Sequence, residues 1–156
     1  MIPEAQTYAE LLREARTRIW KLMDGLNQDA LNWHPTPDAS NSIYALVTHC
    51  LGAERRWIHQ IVGGRSIVRD RDAEFRALAD NPATLQTTYA EAAIETERVL
   101  NDLTLDAMAE LKSDGKNQAS ARWCILHIVE HYNEHIGQIA LTRQLWENRT
   151  ARLHEI

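Results

Sequence analysis

This sequence predicts an all-α fold, a four-helix bundle. Apolar residues recur at spacings of three and four through four long segments. No segment shows the two-residue alternation of a half-buried strand. The stretch between the second and third segments, "GGRSIVRDRDAEFRALADNP", is far longer than a hairpin needs. At ~3.3 Å per residue it can cross a whole bundle, so helices two and three are expected to run parallel. A chain of 156 residues is expected to form one domain, 1–156, around a single core.

The first helix is read from about Pro3 to Asp24. Tyr8, Leu11, Leu12, Ala15, Ile19 and Leu22 form its stripe, and Gly25 stops it. "LNQDALNWHPTPDASN" carries Pro35 and Pro37 and reads as a loop opening on a helical turn. Helix two starts after Ser40 or Asn41, both good caps, and runs to about Val62, where Gly63 and Gly64 end it. The charged run "RDRDAEFR" in the following connection reads as solvated and self-paired. Asn81 caps helix three, Pro82 takes its first position, and the helix ends near Asp102. A second connection, "LTLDAMAELKSDGKNQAS", holds a helical turn around 105–110. Ser120 then caps helix four, which runs to about Glu147.

Charge and composition exclude several classes. The formal charge is −5, against the basic face a nucleic-acid binder needs. No apolar run approaches the ~20 residues of a membrane span, and the first residues lack an apolar signal core. A cytoplasmic protein with no nucleic-acid or membrane partner is the expectation. Cys50 and Cys124 are too few for a disulfide framework and are expected as reduced core residues. There is no HExxH, no Gly-rich phosphate loop and no G-x-S-x-G. A ferritin-like di-iron site needs ExxH on two helices, and no histidine here has a glutamate three positions before it.

The chemistry concentrates in "HIVEHYNEHIGQ", where His127, His131 and His135 stand four apart. With His131 at zero, His135 lies at about 40° and His127 at about −40°. The apolar arc of Cys124, Ile125, Ile128, Tyr132, Ile136 and Ile139 spans about 20° to 140°. His135 therefore lies inside the arc, His131 on its edge and His127 on the outward side. Two imidazoles four apart stack on one face and can share a metal ion. Helix two offers a third, because His49 sits at the margin of its apolar arc, while His59 falls on the opposite, solvent side. Three histidines with an open position form a known catalytic zinc arrangement, and neutral imidazole also suits nickel, iron or copper. The spacing leaves open a plain helical bundle with hydrogen-bonded core histidines.

Glu54 falls inside the apolar arc of helix two. It reads either as an acceptor or general base beside the metal, or as a buried ion pair with an arginine such as Arg143. Gln138 reads as a hydrogen-bonding residue near the metal or as a polar residue at a helix crossing. Gly137 reads as a packing position. Trp20, Trp33, Trp57, Trp123 and Trp146 read as pocket walls or as ordinary core.

Two separated motifs, "NSIYALVTHCLGAERRWI" (41–58) and "ILHIVEHYNEHIGQIALTRQLW" (125–146), resemble those of the DinB-like family of metal-binding proteins. That family has one histidine in helix two and HxxxHxGQ in helix four, matched here by His49, His131, His135, Gly137 and Gln138. The resemblance implies an up-down-down-up bundle, a divalent metal (zinc or nickel) on His49, His131 and His135, and a homodimer. Family members of known activity include S-transferases that use bacillithiol or glutathione, and mycothiol-dependent isomerases. The resemblance therefore implies a small-molecule partner, a low-molecular-weight thiol; Glu54, read from its helix arc, and Gln138 are the candidate catalytic residues. The alternative it implies is a non-catalytic metal-binding protein of stress responses.

Overall fold

The computed structural model describes residues 1–153 apart from Asp38, Asn81 and Asn117. The expected Asn81 cap and the tail residue His154 lie outside the described residues.

The chain is mostly helical. Helix α1, Pro3–Met23, has Pro at its first position, Glu4 in its first turn and Lys21 in its last, as the helix dipole favours. It buries Ala5, Tyr8, Leu12, Ala15 and Ile19, and Gly25 leaves it at φ +74°. The expected turn is α2, Gln28–Asn32, capped by Asn27. Helix α3, Ile43–Glu54, is capped by Ser42, whose Oγ accepts from the Ala45 N–H at 3.1 Å. The cap therefore lies just beyond the expected Ser40 or Asn41. Helix α4, Arg71–Phe75, is a single short piece capped by Asp70. It is followed by α5, Pro82–Asn101, and α6, Leu105–Ala109. Strands β1, Leu111–Ser113, and β2, Gln118–Ser120, pair antiparallel. Helix α7, Ala121–Leu153, begins where Ser120 Oγ accepts from the Trp123 N–H at 3.1 Å. It extends beyond the expected end at Glu147.

The β hairpin corrects the expectation of a strand-free chain. Each strand has three residues, too few to show a two-residue period. The turn was nonetheless marked by Asp114-Gly115, with Gly115 at φ +93°.

Helix α1 packs on α5 and α7, and α3 with its continuation packs on the same two helices. One residue from each long helix meets in the centre. Glu54 on α3 is fully buried and takes hydrogen bonds from Arg16 on α1, Thr96 on α5 and Tyr132 on α7. The Tyr132 hydroxyl donates at 2.6 Å. Burial alone would push the Glu54 carboxyl up. The Arg16 guanidinium and the two hydroxyls outweigh it and hold the carboxyl below the usual carboxylate range.

Two expectations are corrected here. The partner of Glu54 is Arg16. Arg143 instead donates from Nη1 to the carbonyls of Lys21, Leu22 and Asp24, at 3.2, 2.9 and 3.1 Å. It thereby satisfies the last carbonyls of α1 from outside the helix. Arg143→Ala is expected to cost about 1 kcal/mol, read by urea denaturation, since a charged donor is lost at a half-exposed site.

His59 is the second correction. It was expected in solvent and is 4% exposed, with Nε2 at 2.8 Å from Thr96 Oγ1. The cause is the backbone. Residues Arg55–Val62 continue α3 as a π-helix. Each wider turn holds more residues, so each residue advances less than ~100° and the helical wheel slips. Gly63 closes this segment through its N–H to Ile58 O at 2.9 Å. A Cβ there would lie 2.6 Å from Val99 Cγ2, so only glycine lets α5 approach this closely.

Candidate metal centre

The three expected histidines come together. His49, from α3, and His131 and His135, from successive turns of α7, each offer a nitrogen within 4.8 Å of the other two. The Nε2 atoms of His49 and His131 are 3.1 Å apart. Two imidazole nitrogens on one tetrahedral ion at ~2.05 Å would stand roughly 3.3 Å apart. His49 is buried, and His131 and His135 are half-buried.

Neighbouring side chains fasten two of the rings. His49 Nδ1–H donates to Glu74 Oε2 at 2.9 Å, and Phe75 lies against the ring with centroids 4.3 Å apart. Arg69 holds Glu74 in turn through Nε to Oε1 at 2.6 Å and Nη2 to Oε2 at 2.8 Å. His135 Nδ1–H donates to Gln138 Oε1 at 2.8 Å. These bonds assign the Nδ1–H tautomer to both rings and leave each Nε2 lone pair free for a cation. Metal-bound histidines are commonly oriented in this way. His131 Nδ1 is buried and, among the described residues, has no hydrogen-bond partner. Burial first, then the neighbouring His135 and His49, lower the His131 pKa to about 3. That ring is neutral near pH 7, the form that binds metal. A neutral donor set of three imidazole nitrogens fits a divalent transition metal.

The other expected residues divide between the centre and the rest of the bundle. Gln138 is at the centre, fastened to His135. Among the described residues Glu54 makes no hydrogen bond to a histidine, because its acceptors are committed to Arg16, Thr96 and Tyr132. Gly137 was expected at a close approach, but it is exposed and a Cβ there would meet nothing within 4 Å. His127 is half-buried rather than outward. Its ring stacks on Trp123 at 5.0 Å with 7° between planes.

Sequence reasoning missed Arg69, Glu74 and Phe75, all within or beside the run taken as solvated. It also missed Gly52. A Cβ on Gly52 would collide with the Glu74 carboxylate, so this glycine makes room for the group that fastens His49. One signal was available. Asp70 caps a short turn, which places an acid and an aromatic residue together in an otherwise charged stretch.

Cys50 and Cys124 are free and buried, as expected. Burial raises both thiols above their ordinary value, so neither is a ready thiolate.

Fold and site together define a helical protein with a three-histidine constellation suited to a divalent ion. Comparison with known families makes this specific. The mycothiol-S-transferase family model matches residues 7–148, and the chain belongs to this DinB-like family. Two solved structures share its fold. A conserved protein from Enterococcus faecalis aligns with a TM-score of 0.74 at 14% identity, covering 93% of this chain and 98% of that one. A DinB-like protein from Bacillus cereus aligns at 0.72 and 14%, covering 89% and 90%. At that identity the likeness is one of fold. Comparison with curated proteins gives no match. Among the described residues, no helix is long and apolar enough to cross a membrane.

Proposed function

We propose that this protein is a metal-dependent thiol S-transferase, acting on a low-molecular-weight thiol of the mycothiol kind. The observation that carries the reading is the convergence of three imidazoles from α3 and α7, with ligand nitrogens within 4.8 Å of one another. Membership in the mycothiol-S-transferase family supports the thiol as substrate. In this reading His49, His131 and His135 hold zinc or nickel, and residues 1–156 form one up-down-down-up bundle domain. The protein works in the cytoplasm, as a homodimer.

A divalent ion bound here supplies Lewis acidity, which lowers the pKa of a coordinated thiol toward neutrality. The chain supplies the rest. Glu74 and Gln138 hold the rings of His49 and His135 with their lone pairs inward. Arg69 keeps Glu74 in place. Phe75 covers one side of His49 and keeps water from it. The chain's own thiols are buried and protonated, so the nucleophilic sulfur comes from the small-molecule thiol. Gln138 is exposed beside His135, where its amide N–H₂ can orient that substrate. We assign Glu54 to the bundle centre rather than to the reaction.

The test is elemental analysis of the purified protein beside His131→Ala. About one divalent ion per chain is expected in the wild type, falling at least tenfold in the variant, since one of three ligands is gone. Equal metal content in both would overturn the reading. A screen of thiols with electrophilic acceptors follows on the loaded protein, and mycothiol is expected to give the highest rate.

A further inference from the structure

Beside the histidines lies a cleft that this reading leaves without a role. Its volume is about 530 Å³, within the usual range of small-molecule sites. Trp57 and Trp123 form one wall, and Leu111 and Ala119 of the hairpin form the other. The hairpin is fastened in place, because Arg56 Nη2 donates to the Asp114 carbonyl at 2.8 Å. The two indoles meet edge to face at 5.5 Å. His127 stacks on one face of Trp123, yet Trp123 is still 48% exposed. Trp123 also lines the cleft, so part of that exposed ring is open to it. Leu111, across from it, is 63% exposed. Large apolar groups left open around a formed cavity mark a binding site.

The cleft's indole wall adjoins the histidine centre. His127 touches both Trp57, at 5.1 Å between ring centroids, and His131, at 5.9 Å. Its ring bridges the two indoles and His131.

We propose that this cleft binds the acceptor substrate through an uncharged, planar aromatic body, with its reactive end reaching past His127 toward the histidines. The proposal rests on the transferase reading for the meaning of "acceptor", while the binding itself does not require a metal. The exposed indole face supplies the stacking surface for a flat ring. The chain's net charge of −5 and the Asp114 side of the cleft disfavour an anion. Lys112, the cation of the cleft, is already paired with Glu110 at 2.9 Å.

The probe is 1,3-dinitrobenzene, which is planar and uncharged and carries no leaving group for a thiol to displace. Its binding is followed by amide chemical-shift changes and calorimetry on wild type, Trp123→Ala, Leu111→Asp and His131→Ala. The expected result is saturable binding with shifts confined to residues 55–59 and 111–127, about tenfold weaker in Trp123→Ala. Leu111→Asp, an exposed change that leaves the stack intact, weakens it similarly. His131→Ala loses metal and keeps the binding. No saturable binding in the wild type, unchanged affinity in both cleft variants, or shifts centred elsewhere would overturn the proposal. If His131→Ala keeps its metal, the metal reading fails while the cleft stands. If the cleft variants bind as wild type and His131→Ala loses its metal, the cleft fails alone.

Discussion

Glu54→Gln is expected to destabilise the fold by about 3 kcal/mol, a fall in Tm of roughly 6–12 °C for a chain of this size, without changing metal content. The reasoning is local. Glu54 is fully buried and accepts from Arg16, Thr96 and Tyr132, one donor on each of the other three long helices. A glutamine keeps the shape but removes the charge that compensates the buried Arg16, which is 8% exposed. It also points an N–H₂ at groups that are themselves donors, so at least one buried donor is left unsatisfied. The relay extends further. Thr96 donates to Glu54 and is thereby free to accept from His59 Nε2–H at 2.8 Å. The sign with pH follows from the lowered Glu54 pKa. The carboxylate's contribution is full above its unfolded value of about 4.3 and drains as pH falls below that toward the lower folded value. Urea denaturation from pH 7 down to pH 3 should show this stability intact above about pH 5 and draining progressively below about pH 4 in the wild type, while Glu54→Gln has none of it to lose. A loss under 1 kcal/mol at pH 7, or a loss of metal with stability intact, would show that Glu54 serves the site instead.

The sequence carried the helices and the His131–His135 pair because both follow from local periodicity. His131 and His135 are one turn apart on an apolar face, and no tertiary information is needed to place them together. The place of His49 at the margin of its helix's apolar arc offers it as a third ligand, and the family motif then pairs it with them, since nothing local says which face of α3 meets α7. His59 was misplaced because the wheel assumes ~100° per residue, and the π-helical segment after Glu54 breaks that assumption without an obvious mark in the sequence. Arg143 was a reasonable partner for Glu54 by angle. Angle gives the face but not the height, and Arg143 lies at the end of α1, where three carbonyls wait for it. The α4 segment was hidden for another reason. Its charges resemble those of a solvated loop, and only the contact of Glu74 with His49, 25 residues away in sequence, reveals its role.

That contact leads to Gly52→Ala, expected to weaken metal binding about 10- to 100-fold while changing stability by well under 1 kcal/mol. Gly52 follows His49 by three residues, so the two positions share one face of α3. A methyl group there collides with the Glu74 carboxylate. The carboxylate is the far end of a flexible side chain and can swing aside at little cost to the fold. In doing so it releases His49 Nδ1, and the ring is then free to turn its Nε2 lone pair away from His131 and His135. Glu74→Ala removes the same bond directly and should lose a similar factor. The double variant separates this account from general damage at the site. If the methyl acts only by displacing Glu74, adding it to Glu74→Ala changes nothing further, and the coupling energy equals the whole effect of one substitution. Metal titration with a competing chelator reads all four proteins. Additive losses in the double variant would mean that Gly52 reaches the metal by a route other than Glu74, and the idea that α4 orients His49 would have to be abandoned.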